Sequence, residues 1–418
     1  MSSQTSDELD LETFGPLLNI PESSLVHLAT QIRAADISTT SSASGRLVRR
    51  IGGSYNLVHI IQFDDGFQLI IRIPATGWGE GITATATNAI ESHVVTLRLI
   101  ASRTTIPVPQ VYSFDTTASN AIGAPYICMS FISGQTLAAA WFDDTLKTPL
   151  EDRRLKILNT LSQCLAQLGQ FSFSKIGSII HEQESGEATR TVGPCYDWSE
   201  NEDGTFHVTA SGPYNTASEY LDDHFVVTDD RKSPWKVAAT MVTRAAVQHL
   251  PFGEPSDGFV LAVPDFDSQN IMVDDEGNLT GIIDWDLVQT VPRCVGYSRY
   301  PGWITRDWDP LMYGWPKAIT FENSPEELGR YREYYRNALG EALQRSGDWE
   351  FTGKSHIWEA IWIAALNSVN RLEICCKLVE EATGVDKATA RGTLYDIGTG
   401  EADWPKLEQQ LSAFIARR

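Results

Sequence analysis

The periodicity of this chain changes from strand-like to helical at Gly134, and that break predicts a fold in two main parts. Upstream, β-branched and aromatic residues run in short stretches separated by turn signals, the pattern of strands. Leu47–Ile51 is followed by Gly52-Gly53-Ser54-Tyr55-Asn56, then Leu57–Phe63, an Asp64-Asp65-Gly66 turn and Phe67–Ile73. An Asp-Gly step between two such runs predicts an antiparallel hairpin. Ala89–Ser102 places Val94, Leu97 and Ile100 on one helical face, and two further strands follow, Gln110–Phe114 and Tyr126–Ile132. The upstream part is therefore expected to be five antiparallel strands with one inserted helix.

Downstream the pattern is helical. The spacing predicts helices over Arg153–Gln170, Lys236–His249, Glu326–Gln344, Ile357–Ala382 and Trp404–Arg417. One strand-turn-strand unit interrupts them: Asn270–Val273, the turn Asp274–Asn278, then Leu279–Ile283. His181–Thr228 is polar and is expected to hold long loops or a small insertion. Ahead of the strands, residues 1–10 read as frayed, Leu11–Ala34 as helical and Ser38–Gly45 as a linker. The expected class is α+β, with domains at 1–45, 46–133 and 134–418.

Charge narrows the partners. Among 418 residues, 33 are basic and 54 acidic, a net charge of −21, which repels phosphate backbones and argues against a general nucleic-acid binder. A locally basic cleft for a small phosphorylated ligand is still allowed. Six cysteines without C-x-x-C spacing read as reduced thiols. Met1–Glu12 lacks the basic and apolar regions of a secretory signal, and no run approaches 18 apolar residues, so a cytoplasmic protein is expected. His181, His207, His224 and His249 have no zinc spacing, and no serine sits in a G-x-S-x-G elbow.

The chemistry concentrates in Val263-Pro264-Asp265-Phe266-Asp267-Ser268-Gln269-Asn270 and Ile282-Ile283-Asp284-Trp285-Asp286. A carboxylate, an amide five residues later and a second carboxylate after a hairpin are hard oxygen ligands. They suit Mg²⁺, which shares its shell with water and substrate phosphates. In that arrangement Asn270 and Asp284 hold the metal, and Asp265 orients or accepts the proton of an attacking hydroxyl. An ordinary acidic hairpin would use the same residue types.

These two segments resemble the catalytic and metal motifs of the aminoglycoside phosphotransferase family, a branch of the protein-kinase-like fold. GGSYN (52–56), RIP (72–74), IPVPQVY (106–112), IGAPYICMSFISG (122–134) and YPGWITRDWDP (300–310) resemble its filamentous-fungal branch. The resemblance runs in order from about residue 46 to 310. It implies a two-lobed fold binding ATP and Mg²⁺ between the lobes. Gly52, Gly53, Ser54, Tyr55 and Asn56 would cover the nucleotide phosphates, Arg72 would supply the cation for them, and Met129 to Ile132, Phe131 included, would form the adenine-reading hinge. Asp265 would be the catalytic aspartate, with Asn270 and Asp284 as metal ligands. A small-molecule hydroxyl would be the acceptor, a fungal metabolite before an aminoglycoside.

Two positions depart from the family pattern. Val263 stands where the family has a histidine that braces the catalytic loop. His93, counted among the nucleotide-site residues, stands where a glutamate pairs with the strand cation: either the alignment slips or the Arg72 ion pair is missing, and taken alone His93 reads as a helix-surface histidine. Two alternatives stay open. One is the same scaffold repurposed for adenylyl transfer, or for aminoacyl transfer from a charged tRNA, which the acidic charge disfavours. The other is a pseudokinase that binds nucleotide without catalysis. Trp303, Trp308, Trp315, Trp358 and Trp362 read as core, and Asp307 and Asp309 as either acceptor-binding or structural groups.

Overall fold

Five strands form one antiparallel sheet: β1 (Gly45–Gly52), β2 (Asn56–Phe63), β3 (Gln68–Pro74), β4 (Val111–Asp115) and β5 (Tyr126–Ser130), in the order β1-β2-β3-β5-β4. The computed structural model describes residues 11–36, 44–181, 191–226, 233–318 and 320–416. Residues 1–10 and most of the expected 38–45 linker lie outside the described residues. The chain is α+β, as its pattern implied, and divides into two units. The first comprises Met1–Gly134, Gly177–Pro213 and Thr280–Gln289; the second comprises Gln135–Ile176, Tyr214–Leu279 and Thr290–Arg418.

In the first unit, the period-two alternation of the strands sorts side chains to two faces. Leu69, Ile71 and Ile73 of β3 join Leu57 and Ile61 of β2 against helix α1 (Glu22–Asp36), through Leu25, Leu28 and Ile32. Arg72 and Ile70 therefore project to the opposite face, which packs on helix α2 (Ala84–Arg103) through Val94. The expected single helix over 11–34 is broken: Leu11–Phe14 is helical, Gly15–Asn19 is a tighter turn, and α1 starts only at Glu22. Pro16 and Pro21 explain the breaks, since neither offers an N–H to a preceding turn. α2 starts five residues earlier than its apolar stripe suggests because Thr83 caps the Ala86 amide at 3.1 Å.

Of the polar 181–228 stretch, residues 182–190 and 227–228 lie outside the described residues, and the rest contains regular structure. Strands β6 (Cys195–Glu200) and β7 (Phe206–Ser211) form an antiparallel hairpin with Trp198 opposite Val208. A short helix follows at Ala217–His224.

In the second unit, helices Pro234–Val247, Ser355–Leu366, Ser368–Thr383, Lys387–Thr399 and Trp404–Ile415 share one core. It contains Val242, Trp358, Ile361, Cys375, Leu378, Leu394 and Leu411. The expected helix over 357–382 is two helices, because the Asn367 side chain accepts the Val369 amide at 2.8 Å and starts a new one. All six cysteines are free. Among the described residues no helix is long and apolar enough to cross a membrane.

Candidate active site

In the first unit, three of the elements above, β2, β3 and α2, converge on one carboxylate. Asp284 and Asp286 alternate around Trp285, whose ring is buried and whose indole donates to the Ile282 carbonyl at 2.9 Å. Burial of that ring turns both aspartates the other way. Arg72 Nη1 donates to Asp286 Oδ1 at 2.9 Å, and Nη2 donates to Asp286 Oδ2 and Asp284 Oδ1, each at 2.7 Å. His93 Nδ1 reaches Asp286 Oδ1 at 2.8 Å, and Asn56 Nδ2 donates to Asp286 Oδ2 at 2.6 Å.

The electrostatics follow from this packing. Burial alone would raise the Asp286 pKa, but Arg72, then His93, then Asn56 outweigh it and hold the carboxyl well below the usual range. Burial likewise works against the Arg72 charge, and the carboxylates of Asp286 and Asp284 overcome it, leaving the guanidinium pKa raised. His93 is thus no surface histidine: its side chain is 5% exposed and tied to Asp286. Nor is Arg72 unpaired; its partners are carboxylates from the 284–286 segment instead of one from α2. Glu91, two residues before His93, is exposed.

The Gly52–Asn56 turn joins β1 to β2 and is exposed except at Asn56. Gly53 donates its amide to the Asn56 carbonyl at 2.9 Å. Neither Gly52 nor Gly53 has a left-handed φ, so the turn itself does not require glycine there. Met129 lies in β5 with its side chain buried beside Val94 and Ile127, and Phe131 follows just past the strand end, half-buried.

In the second unit, Asp265 sits at φ 36°, a left-handed conformation rare for a side-chain-bearing residue, and Asp284 in the first unit shares it at φ 61°. Asp265 Oδ2 accepts from Gln269 Nε2 at 2.7 Å and from Asn270 Nδ2 at 3.1 Å. Asn270 Nδ2 also holds the Asp265 carbonyl at 2.9 Å. The loop is braced despite the absence of a histidine at Val263. Arg299 Nη2 donates to the Val263 carbonyl at 2.7 Å and pairs with Glu359 at 2.8 Å. Arg306 holds Asp267 at 2.7 Å.

Among the described residues, no hydrogen bond or ion pair engages Asp265 Oδ1, Asn270 Oδ1 or Asp284 Oδ2. Each of those three atoms is a hard oxygen donor, the type that Mg²⁺ takes together with water and phosphate. No group of three His, Cys, Asp or Glu side chains comes together as a metal site among the described residues. An all-protein cage is therefore not what these residues offer.

A family model described as the APH phosphotransferase enzyme family matches residues 48–295, more than half of the chain. The chain belongs to this phosphotransferase family. Its relatives include a subtelomeric hrmA-associated cluster protein of Aspergillus fumigatus, 29% identical over 132 residues, 32% of this chain and 24% of that protein. Clavilactone A biosynthesis cluster protein Y of Ampulloclitocybe clavipes is 23% identical over 297 residues, 66% of this chain and 68% of that protein. Against the Aspergillus protein, the match spans about a quarter of the relative's length. Among solved structures, aminoglycoside phosphotransferase APH(4)-Ia is 14% identical with a TM-score of 0.42, covering 92% of this chain and 100% of that one.

Three residues escaped the sequence reading of this family member: Asp286, Gln269 and Arg299. The Asp-Trp-Asp alternation was the signal available for Asp286. Asp307 accepts from Arg332 at 2.6 and 3.1 Å. Trp303, Trp308 and Trp358 are buried in the core, as their composition implied.

Proposed function

We propose that this phosphotransferase moves the γ-phosphoryl group of ATP to a hydroxyl of a small molecule, with a fungal metabolite as the acceptor. The observation that carries the reading is the state of Asp265. One of its oxygens is held by two amide donors while the other is left unengaged, on a backbone kept in a strained conformation. A proton acceptor fixed in this way contributes orientation before chemistry.

Asp265 Oδ1 would receive the acceptor's proton as its oxygen bonds to the γ-phosphorus. The bond from that phosphorus to the bridging oxygen breaks, and ADP leaves with the electron pair. Asn270 and Asp284 would hold Mg²⁺, which when bound neutralises charge on the phosphates. Arg72 orients Asp284 through Nη2 and keeps N–H groups for the α- and β-phosphates. Gly52–Ser54 would bring backbone amides to the phosphates, which explains glycines that the turn conformation does not itself demand.

The test is an acceptor screen with ATP and Mg²⁺, read by mass spectrometry. A product heavier by one phosphoryl group, lost in Asp265→Asn, supports the proposal. A product heavier by an adenylyl group or a condensed product would replace it.

A further inference from the structure

We infer that the β6–β7 hairpin is a clamp on the nucleotide side of the first unit, with Trp198 as its positioning residue. The inference rests on the proposed ATP reading of the Gly52–Asn56 turn.

Residues opposite each other in an antiparallel pair share a face, as do residues two apart on one strand. Tyr196, Trp198 and Val208 therefore face one way. That face packs on Ala86 and Ala89 of α2, with Leu287 alongside. Alanines let the hairpin come close to the helix. A hydrogen bond from Gln289 Nε2 to the Tyr196 carbonyl at 3.2 Å ties the hairpin to the segment after Asp286.

Trp198 then reaches the turn. Its ring lies parallel on Tyr55, with centroids 4.8 Å apart and planes 1° apart, and Phe206 meets Tyr55 edge-on at 5.1 Å. The turn is thus pinned twice on its C-terminal side: at Tyr55 by this stack and at Asn56 by Asp286. The Tyr55 carbonyl also accepts the Ala75 amide at 2.8 Å. Gly52 ends β1 opposite Leu57 and Gly53 bonds to Asn56, so Ser54 forms the tip of the turn. Behind the pins, Trp198, Val208, Asn56, Arg72, His93 and Asp286 border a cavity of about 30 Å³, room for a water or two. The hairpin supplies one wall of the space behind the turn, through Trp198 and Val208. Ordering the turn before the nucleotide arrives removes part of the entropy that binding would otherwise have to supply.

The experiment compares wild type with Trp198→Ala, Trp198→Phe and Tyr55→Ala by ATP titration, steady-state kinetics and thermal melting. Losing one aromatic stack is expected to raise Kd and KM for ATP about threefold to tenfold, with kcat within about twofold. Trp198→Phe, which keeps a stackable ring, restores most of the affinity. A Trp198→Ala protein that melts lower but has wild-type Kd and KM overturns the clamp. If wild type binds no ATP, the proposed function fails by itself, and amide hydrogen exchange over 52–56 decides the clamp. Faster exchange in both alanine variants supports it; unchanged exchange overturns it.

Discussion

Asp286 grips the Arg72 guanidinium through both carboxylate oxygens, at 2.9 and 2.7 Å, while His93 and Asn56 occupy its remaining acceptor positions. One carboxylate thereby fixes strand β3, helix α2 and the start of β2. Where the resemblance offered either a slipped alignment or a missing ion pair, the chain supplies the counter-charge from the segment that carries the proposed metal ligand.

Removing that carboxylate leaves a buried cation. Asp286→Ala is expected to cost about 3–5 kcal/mol, the usual penalty for breaking a buried pair from one side, read by urea unfolding. Asp284→Asn touches a side chain that is 42% exposed and is expected to cost about 1 kcal/mol or less. Equal losses for the two variants would contradict the hub role of Asp286.

Acid stability follows from a different group. His59 is wholly buried in β2, and burial first, then the Arg50 charge, lowers its pKa to about 4 from an ordinary 6.5. A depressed folded value means that the unfolded chain takes up the proton first. Stability is therefore full above pH 6.5 and lost as pH falls toward 4, by roughly 3 kcal/mol. His59→Leu is expected to flatten that slope in unfolding titrations. The Asp286 contribution has the same sign but lies lower, being lost only below the ordinary carboxylate value of 3.8.

Asp265→Asn is expected to lower kcat by about 10²–10⁴, the range for a lost general base, with ATP affinity unchanged. ADP release measured with a responsive acceptor checks it. A variant retaining most of its kcat would assign Asp265 a structural part.

Arg299 takes over the bracing that a histidine at Val263 would provide. Arg299→Lys keeps the charge but loses the fork that serves both the Val263 carbonyl and Glu359. A loss of about 10- to 100-fold in kcat is expected from slight misplacement of the Asp265 loop, with KM for ATP unchanged. Unchanged kcat would show that the Arg306–Asp267 pair suffices.

The five-stranded sheet and most helices were legible because each carries its period locally. The contact of Asp265 with Asn270 was legible through motif spacing, whereas the hub at Asp286 was not. Its partners Arg72, His93 and Asn56 lie about 190 to 230 residues away, and no local pattern encodes such a meeting. The β6–β7 hairpin was missed although Tyr196 and Trp198 alternate with polar residues and Asp203-Gly204 marks the turn, because polar neighbours masked a two-strand signal. Helix Lys387–Thr399 carried only a weak cue, Asp386 capping the Thr389 amide.

The most direct measurement is calorimetric titration of the protein with ATP, with and without Mg²⁺, beside Asp284→Asn. Binding that is tightened by Mg²⁺ in wild type, with the Mg²⁺ gain absent in the variant, is the expected result. No binding of ATP or GTP under either condition would contradict the phosphotransferase reading and turn attention to another group transfer on this scaffold.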